Sequence, residues 1–339
     1  MKTNLFFTPP LFLAAALFAA VGCSDEESYV AEQPAAQGET VQPAFRAELG
    51  RDEGKTKTTL THEEGGFRVE WRGADNFPSD CDLIGIVVAA ADSYTPITGA
   101  ANIPYRPTLS AAVSPLEAVS AAVEGLTRGA AYDFYAYYPY NSRESQSNLA
   151  NLEVAAPDTR DQTQAAPDDL SHLAALDALL GIKKGVVIPE QGVPQVGFAF
   201  GHRNAILQFS IANGRSETLM VKQIKLATAD GTAGISWASE FSLLAITNGG
   251  GANLSNQRLT IGSPVALSGS ASQRFWMAIR HQTFIAGKLL AIEVTTDKGT
   301  YRIEKRAPAE GFLGGCNYTL DLTIPQTADP AKGETWTDL

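Results

Sequence analysis

Residues 132–138 read Tyr-Asp-Phe-Tyr-Ala-Tyr-Tyr. Counted by twos, this stretch puts Tyr132, Phe134, Ala136 and Tyr138 on one face and Asp133, Tyr135 and Tyr137 on the other. A helical period would scatter these residues, whereas a strand sends successive side chains to opposite faces. Aromatic residues on both faces fit a central strand packed on both sides. Clustered tyrosines also suit stacking on sugar rings.

The same period recurs along the chain. Phe67, Val69 and Trp71 alternate with Arg68 and Glu70, and Asp82–Ala89 is a nearly continuous apolar run. Later come Ala205, Leu207, Phe209 and Ile211, then Phe275, Met277 and Ile279, then Leu290, Ile292 and Val294. Tyr318, Leu320, Leu322 and Ile324 complete the series. Gly, Asn, Asp and Pro separate these runs, which predicts half-buried antiparallel strands and an all-β protein. Residues 295–300 read as a hairpin turn. Helix signals are weak. Leu109–Leu126 contains Pro115, Gly125 and several Val and fits helix, strand or loop, while Leu173–Leu180 suits a short helix ended by Gly181.

A polar stretch, Asn141–Asp169, separates two strand-rich halves and reads as a surface excursion. The division expected is an N-terminal β-sandwich domain over 44–180 and a C-terminal one, with a short tail, over 181–339. Each half has the size of one sandwich.

The 339 residues include 26 Lys+Arg and 37 Asp+Glu, a formal net charge of -11, which argues against a nucleic-acid partner. Three Cys exclude a disulfide-dense scaffold, and four scattered His give little material for a metal site or His-based catalysis. No HExxH, CxxC or GxSxG motif occurs. The expectation is a protein that is not an enzyme and has no metal or cofactor. A glycosidase-type carboxylate pair stays open, because sequence does not show spatial separation. His202, beside Phe200, reads as structural. Cys81 and Cys316 read as unpaired, buried thiols, and Gly249–Gly251 as a hairpin tip.

The N-terminus speaks to compartment. Lys2 precedes eleven apolar residues, Leu11–Val21, too few to span a bilayer but right for a signal peptide. Ala20-Val21-Gly22-Cys23 follows and resembles the lipobox of bacterial lipoproteins. That resemblance implies cleavage between Gly22 and Cys23 and a covalent lipid on the Cys23 thiol. Residues 1–22 would be the lipoprotein signal peptide and 23–43 an acidic flexible tether. From Ser24 to Phe45 there are five acids and no Lys or Arg. The cluster Asp25-Glu26-Glu27 resembles a surface-export signal of some Gram-negative lipoproteins.

Several patterns then occur in a telling order. Phe45-Arg46-Ala47-Glu48-Leu49 is followed by Lys55-Thr56-Lys57-Thr58, Trp71 and Asp82-Leu83-Ile84-Gly85-Ile86. Tyr132–Tyr140, Asp177-Ala178-Leu179-Leu180, Phe200-Gly201-His202-Arg203-Asn204-Ala205 and Gly314–Leu320 come after. Together they resemble the fimbrillin family, the FimA/Mfa-like lipoprotein subunits of type V pili, over residues 40–325. The resemblance implies two tandem transthyretin-like antiparallel β-sandwich domains. It implies a cell-surface fimbrial subunit or fimbria-associated adhesin, exported to the outer membrane and the fimbrium. Partners would be other pilin subunits, the outer membrane through the lipid before processing, and a host glycan or protein receptor. An Arg/Lys-specific protease would remove the first strand, here Phe45, Ala47 and Leu49, after which a neighbouring subunit donates a strand. Candidate processing positions are Arg46, Arg51, Lys55 and Lys57. The segment from Pro325 onward has no long alternating run, an expectation that favours a tip, anchor or accessory role over a shaft role. The rival reading is a monomeric surface lipoprotein that keeps its first strand and binds a glycan or host protein.

Overall fold

The 132–138 alternation is realised as a strand at the centre of a closed sheet. The computed structural model describes residues 39–49, 59–63, 66–142, 153–167, 169–231, 235–236, 240–243, 254–269, 271–327 and 335–337. Gly22, Cys23, Arg51, Lys55, Lys57 and Gly249–Gly251 lie outside the described residues.

Seven strands form the first sheet: β1 (Ala44–Leu49), β2 (Ile84–Ala90), β3 (Ile103–Pro107), β4 (Val113–Ala118), β5 (Ala131–Tyr138), β6 (Leu179–Val187) and β7 (Gln195–His202). They close into a barrel in the order β6-β7-β1-β4-β3-β2-β5. Tyr132, Phe134, Ala136 and Tyr138 face its core with Trp71, Ile84, Ile86, Val88, Phe198 and Phe200. Tyr135 and Tyr137 point the other way and are buried under Val154, Ala178 and Leu243. Strand β5 is therefore packed on both sides, and its tyrosines offer no exposed stacking platform.

The second half has two sheets around one core. Its strands are β8 (Asn204–Asn213), β9 (Leu219–Thr228), β10 (Gln257–Leu267), β11 (Gln273–Arg280), β12 (Leu289–Thr296), β13 (Gly299–Arg306) and β14 (Asn317–Ile324). One sheet runs β10-β9-β12-β13, with Asp161–Gln164 added in parallel beside β10 and Thr335–Thr337 in parallel beside β13. The other runs β11-β8-β14. Leu207, Phe209, Ile224, Leu259, Phe275, Ile292 and Tyr301 fill the space between them. The β12–β13 hairpin turns at Asp297-Lys298, inside the stretch read as a turn.

One open reading is decided and two change. Of the alternatives for Leu109–Leu126, strand is the one realised, over Val113–Ala118. Pro115 is tolerated there because its missing N–H faces the position where β3 has already ended at Pro107. The helix α1 covers Ser171–Leu176 only. Leu179 and Leu180 belong to β6, and Gly181 lies in that strand rather than ending a helix. A Cβ at Gly181 would stand 3.0 Å from the Phe198 Cβ, so close packing accounts for the glycine. Finally, the polar stretch near 160 is no free excursion. Gln162 Nε2 donates to the Ala278 carbonyl at 2.7 Å and its Oε1 accepts from the Ala278 N–H at 2.9 Å. Gln164 Oε1 accepts from the Trp276 N–H at 3.1 Å. These buried amides stand in for a neighbouring strand along the edge of β11, satisfying its main chain.

The division expected at 180/181 falls inside β6, and the barrel sheet carries the chain as far as His202.

Candidate functional site

Strand β1 is short, comes early in the chain and occupies an interior place in the barrel. Its parallel register with β7 runs from Ala44↔Gln195 to Leu49↔Phe200. Its antiparallel register with β4 runs from Phe45↔Leu116 to Glu48↔Val113. Both sides of its main chain are thus engaged. The period-2 alternation sends Phe45, Ala47 and Leu49 inward, with 3%, 0% and 4% exposure. The Phe45 ring lies edge-on to Tyr105 at 5.1 Å and to Phe134 at 6.0 Å, and stacked near Phe198 at 5.7 Å. Full burial of a side chain such as Phe45 or Leu49 stabilises by roughly 1.5–3 kcal/mol. The other face is polar: Arg46 and Glu48 are exposed and approach to 3.7 Å, an ion pair of small energetic consequence.

The strand's entry is fixed. Thr40–Val41 pairs with Leu126–Thr127, and Glu39 meets Arg128 at 3.3 Å. Arg128 also donates to the Pro189 and Gly192 carbonyls, tying this entry to the β6–β7 hairpin. The structure brings Phe45, Ala47, Leu49 and Arg46 together in β1. The neighbours that receive them, Tyr105, Leu116, Val196, Phe198 and Phe200, were not singled out as site residues. The alternation Val196, Phe198, Phe200 was the available signal.

A second polar cluster lies where β7 passes into β8. His202 Nδ1 sits 3.0 Å from the Asp177 carboxylate, with both side chains buried. Arg280 donates to Asn204 Oδ1 at 2.8 Å and to the Pro157 carbonyl at 2.6 Å. Asn204 Nδ2 donates to the Leu176 carbonyl at 2.7 Å. Burial, joined at Arg280 by the neighbouring Arg203 charge, brings the Arg203 and Arg280 guanidiniums down to about 10, and both stay charged at neutral pH. The cluster joins segments from both halves, and His202 serves it as a structural group. Within the barrel wall, burial and the adjacent Asp133 push the Tyr135 phenol up to about 12.

Among the described residues no group of three or more His, Cys, Asp or Glu is placed to hold a metal ion. Cys81 and Cys316 are unpaired, and half-buried rather than buried.

Known proteins supply a frame for this geometry. The sequence model of a family described as fimbrillin-like matches residues 75–337. A crystal structure of a candidate cell adhesion protein from Bacteroides ovatus is similar with a TM-score of 0.53 at 17% identity, covering 86% of this chain and 94% of that one. A candidate cell adhesion protein from Bacteroides uniformis is similar with a TM-score of 0.50 at 18% identity, covering 84% and 94%. At such identities the likeness bears on the fold alone. No curated protein matches the chain.

Proposed function

Because the chain belongs to the fimbrillin-like family, we propose that it is a cell-surface fimbrial subunit or fimbria-associated adhesin that assembles by exchange of β1. In this reading the two β-rich halves are tandem transthyretin-like domains. The precursor reaches the outer membrane as a lipoprotein with its lipid on Cys23. A protease specific for Arg or Lys then cuts the chain, and β1 leaves. A strand from another subunit takes its place, pairing with β4 and β7 and refilling the core positions. The role is structural and adhesive, with no catalysis.

One observation carries the reading. An early strand with three buried alternate side chains closes the barrel between two strands distant from it in sequence, and its far end leads toward basic residues. Removing it exposes two strand edges and the Phe45, Ala47 and Leu49 sites at once, a vacancy only another strand fills well. Arg46 lies within the paired part of β1, so its peptide bond is held on both sides. Arg51, Lys55 and Lys57, beyond the strand, are therefore the preferred processing positions.

Limited trypsin treatment of the mature protein tests the proposal. A cut between Leu49 and Thr58 followed by a ladder of detergent-resistant oligomers in unboiled samples is expected. An uncut or cut protein that stays monomeric and binds sugars on a glycan array would instead support the rival surface-lipoprotein reading.

A further inference from the structure

The barrel has a second opening, on the other side of β7 from β1. Strands β6 and β7 pair only at Leu179↔His202 and Leu180↔Gly201. Beyond Leu180, β6 stays with β5 as far as Val187, while β7 follows β1. The divergence has a structural cause. A bulge between Lys183 and Val186 bends β6. Gly185 adopts φ 62 there, and its N–H donates to Asp133 Oδ1 at 2.8 Å. The result is a cavity of about 350 Å³ between the two strands.

Its lining has two chemistries. Val186 supplies half-buried apolar surface, Val196 and Phe198 turn their side chains into the barrel core behind it, and Arg46, Glu48 and Lys183 carry charge. Lys184, next along β6, is exposed. Three cations stand against two carboxylates, Glu48 and the buried Asp133 behind the bulge, which leaves this region positive on a protein whose net charge is -11. Val187 and Val193, at the two ends of the β6–β7 turn, are 60% and 59% exposed, the largest values for large hydrophobic residues among the described residues. A strand entering the gap would pair with the β7 main chain and alternate its side chains between the apolar lining and the cations.

We propose that this slot takes, as an added strand, an extended segment of a partner protein in which acidic and apolar residues alternate. The acidic positions face Arg46, Lys183 and Lys184, and the apolar positions face half-buried Val186 and exposed Val187 and Val193. The slot is present while β1 is in place, so the inference does not rest on strand exchange.

The probe is a fluorescein-labelled Glu-Val-Asp-Val-Glu-Val-Asp peptide, titrated into the uncut mature chain by fluorescence anisotropy. Saturable binding is expected, with new hydrogen-exchange protection at residues 195–199. The Lys counterpart of the peptide and an analogue N-methylated at alternate amides should not bind. Lys183→Glu with Lys184→Glu changes only exposed side chains and should weaken binding about tenfold. Gly197→Val is a second blocking variant, because a Cβ there meets nothing within 4 Å and the added side chain fills the slot. Unchanged unfolding midpoints confirm that both variants fold. Absence of saturable binding, equal binding by the N-methylated analogue, or equal binding to the charge-reversed variant would overturn the proposal.

Discussion

Strands β1 and β14 make similar parallel pairings in the two halves and differ in what they hold up. Each runs parallel to one of two successive strands: β1 to β7, and β14 to β8. Strand β1 has neighbours on both sides and closes a barrel, with all three inward side chains buried. Strand β14 lies at the edge of a three-stranded sheet. Only Leu322 and Ile324 on it are fully buried, while Tyr318 and Leu320 are partly so. The difference teaches that a similar pairing has different consequences. Loss of β14 leaves a sheet with a new edge, whereas loss of β1 breaks a closed circuit and empties part of a core.

The largest expected effect comes from β1. Phe45→Ala should cost about 3–5 kcal/mol in urea unfolding, since it empties an aromatic site between Tyr105, Phe134 and Phe198. A cost near that of an exposed residue would break the comparison. Next is the junction. Asp177→Ala removes the carboxylate beside buried His202 that also acts on the buried Arg280 guanidinium, and should cost about 3 kcal/mol. Hydrogen exchange should then rise in β7 and in β8 together, because the cluster spans both.

A smaller effect is expected from β14, where Leu320→Ala should cost about 1 kcal/mol because that side chain is only partly buried. A cost equal to that of Phe45→Ala would mean the edge strand matters as much as the closing one.

The smallest effect is a pH dependence set by two histidines beside β11. His172, bonded to the Trp276 carbonyl at 2.9 Å, and His281 are both held below the ordinary histidine value, chiefly by burial. The unfolded chain therefore takes up protons on these groups more readily than the folded one. Their contribution is fully present above about pH 6.5 and is lost as pH falls below it. The urea midpoint should drop between pH 7.5 and 5.5, and His172→Gln should reduce that drop. An unchanged drop in the variant would assign the effect elsewhere.

How legible was this in the sequence? Alternation located the strands well: residues 132–138, 205–211, 275–279 and 290–294 all became strands with the inward set as read. Alternation states which side chains share a face, but it carries no information about partners. The neighbours of β1 lie about 70 and 150 residues away, and nothing local in Phe45–Leu49 names Leu116 or Phe198. Polar residues used as sheet edges were illegible for a different reason. Gln162 and Gln164 look like surface glutamines until the unpaired edge of β11 is set beside them. Gly181 misled because a glycine needed for close packing against Phe198 resembles one that ends a helix. The assembly reading came from the order of several weak motifs, and the candidate strand gained physical content only once its neighbours were known.

A reversible lock on β1 tests the central claim most directly. Glu48 and Val113 are directly opposite and face outward. Leu49 N–H donates to the Ala112 carbonyl at 2.9 Å, which makes Glu48↔Val113 a non-hydrogen-bonded pair. Such pairs have Cα atoms about 4.5 Å apart, within disulfide range. The double variant Glu48→Cys/Val113→Cys should be cut by trypsin equally well whether oxidised or reduced. Oligomers should appear on unboiled gels only in the reduced form, where β1 is free to leave. Equal oligomer ladders from oxidised and reduced protein would contradict the account.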